Sequence, residues 1–169
     1  FKIEIFEIMS KNSATNIMDS VRFAVDTDTV FYLDHHRHID EILKTGLTLY
    51  VDKDFPKYHD MTLIQYAIAK RKPKTLKFML EKTKELNIEY KNIMYPNCTN
   101  TRGSLLRLAI EFGSQGFYDT VDNSCLITIL DVLDVTNLDS TNILSNSLFL
   151  AINHQNDEAV EILINKGAN

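Results

Sequence analysis

Breakers are scarce in this chain: of 169 residues only 5 are glycine and 3 are proline. Turn-rich β architectures need such residues, so their scarcity beside Ile, Leu and Val at spacings of three and four predicts a mostly helical chain. No apolar run approaches the roughly 20 residues that span a bilayer, so no membrane helix is expected. The 2 cysteines, Cys98 and Cys125, lack metal-ligand spacing and make no disulfide framework, which favours a reducing, intracellular and cytoplasmic setting. No glycine-rich phosphate loop and no G-x-S-x-G elbow is present, so no catalytic residue, cofactor or enzymatic activity is expected within residues 1–169. Charge-dense low complexity is lacking too, and 44% hydrophobic residues can build the core of a single domain.

What the chain does have is a period. "VRFAV" at 21–25, "IQYAI" at 64–68, "LRLAI" at 106–110 and "LFLAI" at 148–152 align on Ala24, Ala67, Ala109 and Ala151, which are 43, 42 and 42 residues apart. An aliphatic residue stands three before each alanine (Val21, Ile64, Leu106, Leu148) and another one after it (Val25, Ile68, Ile110, Ile152). Rewriting one apolar helix face four times is the signature of a repeat. Five before each alanine stand Asp19, Thr62, Ser104 and Asn146, all residue types that accept hydrogen bonds from the free N–H groups of a first helical turn. The spacing therefore predicts four helix N-caps. A second helix follows each anchor, with apolar faces at Ile39, Ile42 and Leu43, at Leu76, Met79 and Leu80, at Leu126, Ile129 and Leu130, and at Val160, Leu163 and Ile164. Gly46 and Gly167 are placed to close the first and last of these. In the third copy the fit requires an insertion around "SQGFYDTV".

"TLIQYAIAKRKPKTLKFMLEK" and "SLFLAINHQNDEAVEILINKGAN" resemble ankyrin repeats, whose first helix opens with T-P-L-H-x-A and whose second closes near Gly-Ala. Thr62 and Ala67 match the ends of that signature, and Gly167-Ala168-Asn169 match the closing triplet. The resemblance implies an all-α, ankyrin-like helical solenoid of about four and a half helix-turn-helix repeats, with insertions lengthening a family period of about 33 residues. Residues 1–12, with Ile5, Ile8, Met9 and Asn12, are expected to be the second helix of a repeat whose first half is missing. Both ends then fall inside an array, and the chain is expected to be a fragment of a longer protein.

A family of this kind implies a protein–protein interaction module binding on its concave side. Carried over position by position, the partner-binding residues are Ala69, Lys70, Glu111, Phe112, Asn153 and His154 on the first helices. Tyr58, His59, Met61, Asn100, Thr101, Asn142 and Ile143 lie in the connecting fingers. The alternative is a recruiting arm of a larger enzyme or effector whose catalytic domain lies elsewhere.

Two polar clusters invite chemistry. In "DHHRHIDE" His35 and His38 would share a helix face as zinc ligands could, but no cysteine is near and HExxH spacing is absent, so a solvated turn and no metal is expected. "KRKPK" at 70–74 falls at an inter-helix turn of an acidic chain and is read the same way. Charge is better organised than either. From Leu108 to Asn165 there is no Lys or Arg but nine acidic residues, whereas residues 1–107 carry a net charge of +3. Such a half repels nucleic-acid backbone and attracts a basic protein surface. The expected partner is another protein with such a surface, bound by a monomer, with neither nucleic acid nor membrane involved.

Overall fold

The computed structural model describes residues 13–46, 61–94, 104–114, 119–133 and 140–169. Among them are ten helices and no strand: α1 Ser13–Asp26, α2 Val30–Asp34, α3 Ile39–Thr45, α4 Leu63–Ala69, α5 Pro73–Glu85, α6 Tyr90–Met94, α7 Leu105–Gly113, α8 Ser124–Val132, α9 Ser140–Asn153 and α10 Asp157–Asn165. The expected helix over residues 1–12 lies outside the described residues. Two short helices were not expected. α2 sits where a plain turn was foreseen in the first copy, and α6 follows α5 in a connector.

All four anchor alanines are buried, and they sit on α1, α4, α7 and α9. These helices pack in chain order, α1 on α4, α4 on α7 and α7 on α9. Behind them α2 and α3 pack on α5, and α5 packs on α8, while α4–α5, α7–α8 and α9–α10 pack as pairs. A larger side chain at any of these buried anchors would overfill the core at a cost of about 1–3 kcal/mol. Val25, Ile68 and Ile110 are buried beside the anchors, as are Leu43, Leu80 and Leu130 on the second helices. Their counterparts in the last copy, Ile152 and Ile164, are exposed.

Two of the four expected caps form. Thr62 Oγ1 accepts the Gln65 N–H at 3.3 Å while the Gln65 side chain accepts the Thr62 N–H at 2.8 Å, a reciprocal capping box. Ser104 Oγ accepts the Arg107 N–H at 3.3 Å. Asp19 and Asn146 cap nothing, because α1 starts at Ser13 and α9 at Ser140, leaving both residues inside helices and exposed. The reason is upstream packing. Leu144 is buried, and Ile17 and Ile143 lie against the core. Burying a leucine side chain is worth about 1.5–3 kcal/mol, more than the roughly 1 kcal/mol of a cap, so the helices run on backwards past the candidate.

Three of the four anchors also close the helix that carries them. The carbonyls of Ala24, Ala67 and Ala151 accept the N–H of Thr29, Lys72 and Asn156 at 2.9, 2.9 and 3.0 Å. The residue before each donor, Asp28, Arg71 or Gln155, takes the left-handed conformation at φ 51°, 55° and 52°. Such a helix-closing bond usually relies on glycine; here three side-chain-bearing residues adopt it. In the third copy the insertion replaces this turn. α7 runs on to Gly113, whose carbonyl accepts the Asp122 N–H at 2.8 Å, and a Cβ there would lie 2.7 Å from the Asp122 oxygen. The second helices close as expected at Gly46 and Gly167, and α5 closes through left-handed Asn87.

The turn residues then tie successive copies together. Asp28 Oδ1 accepts the N–H and hydroxyl of buried Thr75 at 2.9 and 3.1 Å, capping α5 from the copy before it. Arg71 donates to the carbonyls of Phe112 at 2.8 Å and Thr120 at 2.7 Å. The carboxamides of buried Asn123 and Asn156 exchange two hydrogen bonds of 3.0 and 2.9 Å, and Asn156 also donates to Ser114 at 3.1 Å.

Thr62→Ala is expected to destabilise the chain by about 1 kcal/mol, whereas Asn146→Ala stays within about 0.5 kcal/mol. Urea unfolding midpoints of the two variants measure the difference, and equal losses would contradict the helix starts given above.

Candidate interaction surface

The expected partner-contact residues separate into distinct environments. Tyr58, His59, Asn100 and Thr101 lie outside the described residues. Asn142 falls in the first turn of α9. Met61, Ala69 and Phe112 are core residues, at 3%, 0% and 6% exposure, so the expectation that they face a partner is corrected. The reason is local: every residue of α4 from Leu63 to Ala69 is buried, which interrupts the expected concave strip at the second copy. Phe112 goes inward with its helix, and its carbonyl is already engaged by Arg71. Lys70 is half-buried, 3.9 Å from Asp26 and above the Tyr66 ring, whose hydroxyl donates to the same Asp26 at 2.8 Å. Glu111, Ile143 and His154 are partly exposed and Asn153 is exposed.

Glu111, Ile143 and Asn153 converge around one feature, a groove of about 450 Å³ between α7 and α9 lined by Ser104, Arg107, Ile143, Asn146, Ser147, Phe149, Leu150 and Asn153. Its apolar wall is Ile143, Leu150 and Phe149, the last 67% exposed. Its charged edge is Arg107, whose Nε donates to Glu111 at 2.7 Å. Asn146 and Asn153 are exposed, and neither carboxamide hydrogen-bonds to a described residue. Ser147 sends its hydroxyl proton to the Ile143 carbonyl at 2.7 Å and Ser104 caps α7, so the serines serve the helices rather than the groove. Sequence reasoning missed Arg107, Asn146 and Phe149. The available signal was the face of α9 at steps of three and four, Asn146, Phe149, Leu150 and Asn153; reading Asn146 as a cap placed it outside the helix.

A second exposed apolar cluster lies near the start of the fold. Phe23, Phe31 and Tyr32 are all more than half exposed, with Phe23 and Phe31 ring centroids 6.2 and 5.9 Å from Tyr32. His35 stacks 4.3 Å from Phe31.

The histidine run does not lie on one helix. His35 ends α2 and His38 precedes α3, so the two do not share a face. Each imidazole has its own partners. His36 Nε2 donates to Ser20 Oγ at 3.0 Å, whose proton goes to the Ile17 carbonyl, and His36 Nδ1 accepts the His38 N–H at 3.4 Å. His38 Nε2 accepts from Arg37 Nε at 2.9 Å, and His35 Nδ1 donates to the Phe31 carbonyl at 2.9 Å. Those bonds require neutral rings at His36 and His38. Burial, with His38 and Arg37 adding, holds the His36 pKa below its usual range; burial and Arg37 do the same for His38. Among the described residues no three His, Cys, Asp or Glu side chains are gathered as metal ligands would be. The basic run is likewise divided. Arg71 is spent on the carbonyl of Phe112 in the last turn of α7 and on that of Thr120 beyond it, and Pro73 opens α5, so "KRKPK" is a joint between copies rather than the solvated turn expected. Burial, with Asp122 and Asp28 adding, pushes the Cys125 thiol up to about 12, which keeps it protonated and unreactive near neutral pH. Among the described residues no helix is long and apolar enough to cross a membrane.

No family model, curated protein or solved structure matches this chain.

A base whose pKa is lowered by folding binds fewer protons in the fold than in the unfolded chain. Its contribution is complete above the unfolded value of 6.5 and declines as pH falls below it. Urea midpoints at about pH 7.5 and about pH 5.5 should therefore drop more for the natural chain than for His36→Gln, which keeps a donor toward Ser20 and cannot titrate. An equal drop in both would place the acid sensitivity elsewhere.

Proposed function

We propose that this chain is an ankyrin-like helical solenoid of about four and a half repeats that works as a protein–protein interaction module, contacting its partner at the α7–α9 groove. The repeat reading is supported by four buried alanines at intervals of 42 or 43 residues, and by the same helix-closing bond to the anchor carbonyl in three copies. Chain-order packing of the anchor helices supports it as well.

The observation that carries the contact surface is Phe149, a large apolar side chain 67% exposed on a helix whose neighbouring groove positions are amide, apolar and charged. Aromatic anchors ringed by polar groups supply a disproportionate share of interface energy, because their area is desolvated while the rim keeps its hydrogen bonds. Charge adds selectivity. The stretch containing most of α7 and all of α9 has nine acidic residues and no Lys or Arg, so a basic partner approaches with favourable long-range attraction.

The test is affinity capture with the immobilised chain and quantification of each recovered protein. Phe149→Ala is expected to reduce recovery of a true partner at least tenfold, which corresponds to about 1.4 kcal/mol, whereas Phe31→Ala in the distant aromatic cluster leaves it unchanged. Recovery insensitive to Phe149 would remove the groove as the contact surface.

A further inference from the structure

We infer that this chain stacks head to tail on a second copy of itself, the open face of α9 and α10 on one copy covered by the open face of α1 and α2 on the next. The contact continues the joints already made within the chain and uses none of the residues that line the α7–α9 groove. It rests on the repeated packing of the anchor helices.

Residues one before and one after an anchor alanine stand about 200° apart around the helix axis, because each residue turns the helix by about 100°. They therefore face opposite ways along the stack. The residue before the anchor looks back: the Tyr66 hydroxyl donates to Asp26 on α1 at 2.8 Å, and Leu150 lines a groove with Ser104 and Arg107 of the copy before it. The residue after the anchor looks forward. Val25, Ile68 and Ile110 stand there on α1, α4 and α7, each helix has the next anchor helix packed on it, and all three residues are buried.

At the two ends of the series the same positions are open. Phe23, which looks back from α1, is 57% exposed although its counterparts Tyr66 and Leu108 are buried. Ile152, which looks forward from α9, is 55% exposed although its three counterparts are buried. The second helices repeat the pattern, with Leu43, Leu80 and Leu130 buried and Ile164 on α10 exposed. Tyr32 widens the first face, its ring centroid 6.2 Å from that of Phe23.

What covers such a face is visible inside the molecule. At the α1–α4 joint the forward residue is aliphatic Val25 and the backward one is aromatic Tyr66, both buried. Ile152 of one copy and Phe23 of the next supply the same two kinds of side chain. One chain thus carries both halves of a joint, and the occupant that fits each open face is the opposite face of a second copy. Removal of apolar surface from water drives the contact. Charge opposes it, since the chain has a formal charge of -5 and like-charged copies repel until salt screens them. A contact between unlike faces leaves one of each kind free at the ends, so copies add in series as concentration rises. The monomer expected from the sequence is then the dilute state of the chain.

Sedimentation velocity of the whole 169-residue chain between about 1 μM and about 1 mM tests this. The average mass should rise with concentration past that of two chains, and more readily at raised salt. Phe23→Lys and Ile152→Lys should each weaken association at least tenfold, because a lysine in the joint loses its water. Each variant should unfold at nearly the same urea concentration as the natural chain. Mixed in equal amounts, the two variants should form dimers and nothing larger, since one keeps an intact α9–α10 face and the other an intact α1–α2 face. A natural chain that stays monomeric throughout this range overturns the inference and leaves the end faces to helix pairs from elsewhere. Association that stops at two copies, that survives both substitutions, or that the mixture fails to restore also overturns it. None of these outcomes touches the groove reading, because no groove residue is altered.

Discussion

The arrangement of the helices turns on four alanines that must be small. Ala24, Ala67, Ala109 and Ala151 are buried on helices that pack one against the next. A larger side chain at any of these buried positions would overfill a packed core, at a cost of about 1–3 kcal/mol. In three copies the same residue has a second duty, since its carbonyl accepts the hydrogen bond that ends the helix. One residue thus combines a buried methyl group with the carbonyl at which the helix stops. Coupling the two duties fixes the offset between the first and second helix of a unit.

Polar contacts between copies give that packing its register. Apolar faces tolerate sliding, because dispersion and water exclusion are nearly indifferent to a small shift. Buried hydrogen bonds are not, since a donor or acceptor left unsatisfied costs about 1–3 kcal/mol. The links fall at the turns: Asp28 to Thr75, Arg71 to carbonyls at the end of α7 and beyond it, and Asn156 to Asn123 and Ser114. Each lies at or beside a helix-closing turn, so the turn that ends one helix also places a side chain against a neighbouring copy. The aspartate and the arginine adopt a left-handed conformation that favours glycine. Glycine would adopt it with less strain but could not make the link.

Exposed side chains remain where these constraints are absent. α4 is wholly buried and leaves nothing to a partner, while α9 keeps Phe149, Ile152 and Asn153 exposed. The groups that suggest chemistry elsewhere are committed locally. The histidines hold one another and the backbone, Arg71 holds carbonyls, and the Cys125 thiol stays protonated in the core. What remains at the α7–α9 groove is an exposed aromatic side chain, two carboxamides with no hydrogen bond to a described residue, and an ion pair.

The sequence by itself determined the helical class, the four anchors, the buried faces of the second helices except at Ile164, and the caps at Thr62 and Ser104. It also located the glycines that close α3 and α10. All of these are written in local spacing and in side-chain types whose preference is intrinsic. Only the tertiary structure decided that Asp19 and Asn146 lie inside helices, because the burial of Leu144 and the packing of Ile17 and Ile143 depend on neighbours distant in sequence. It alone decided that Phe112 is core and Phe149 is surface, two aromatics on helices of the same periodic pattern. Periodicity says which residues share a face; what covers that face depends on the size and placement of insertions, and a side chain's own chemistry does not encode this.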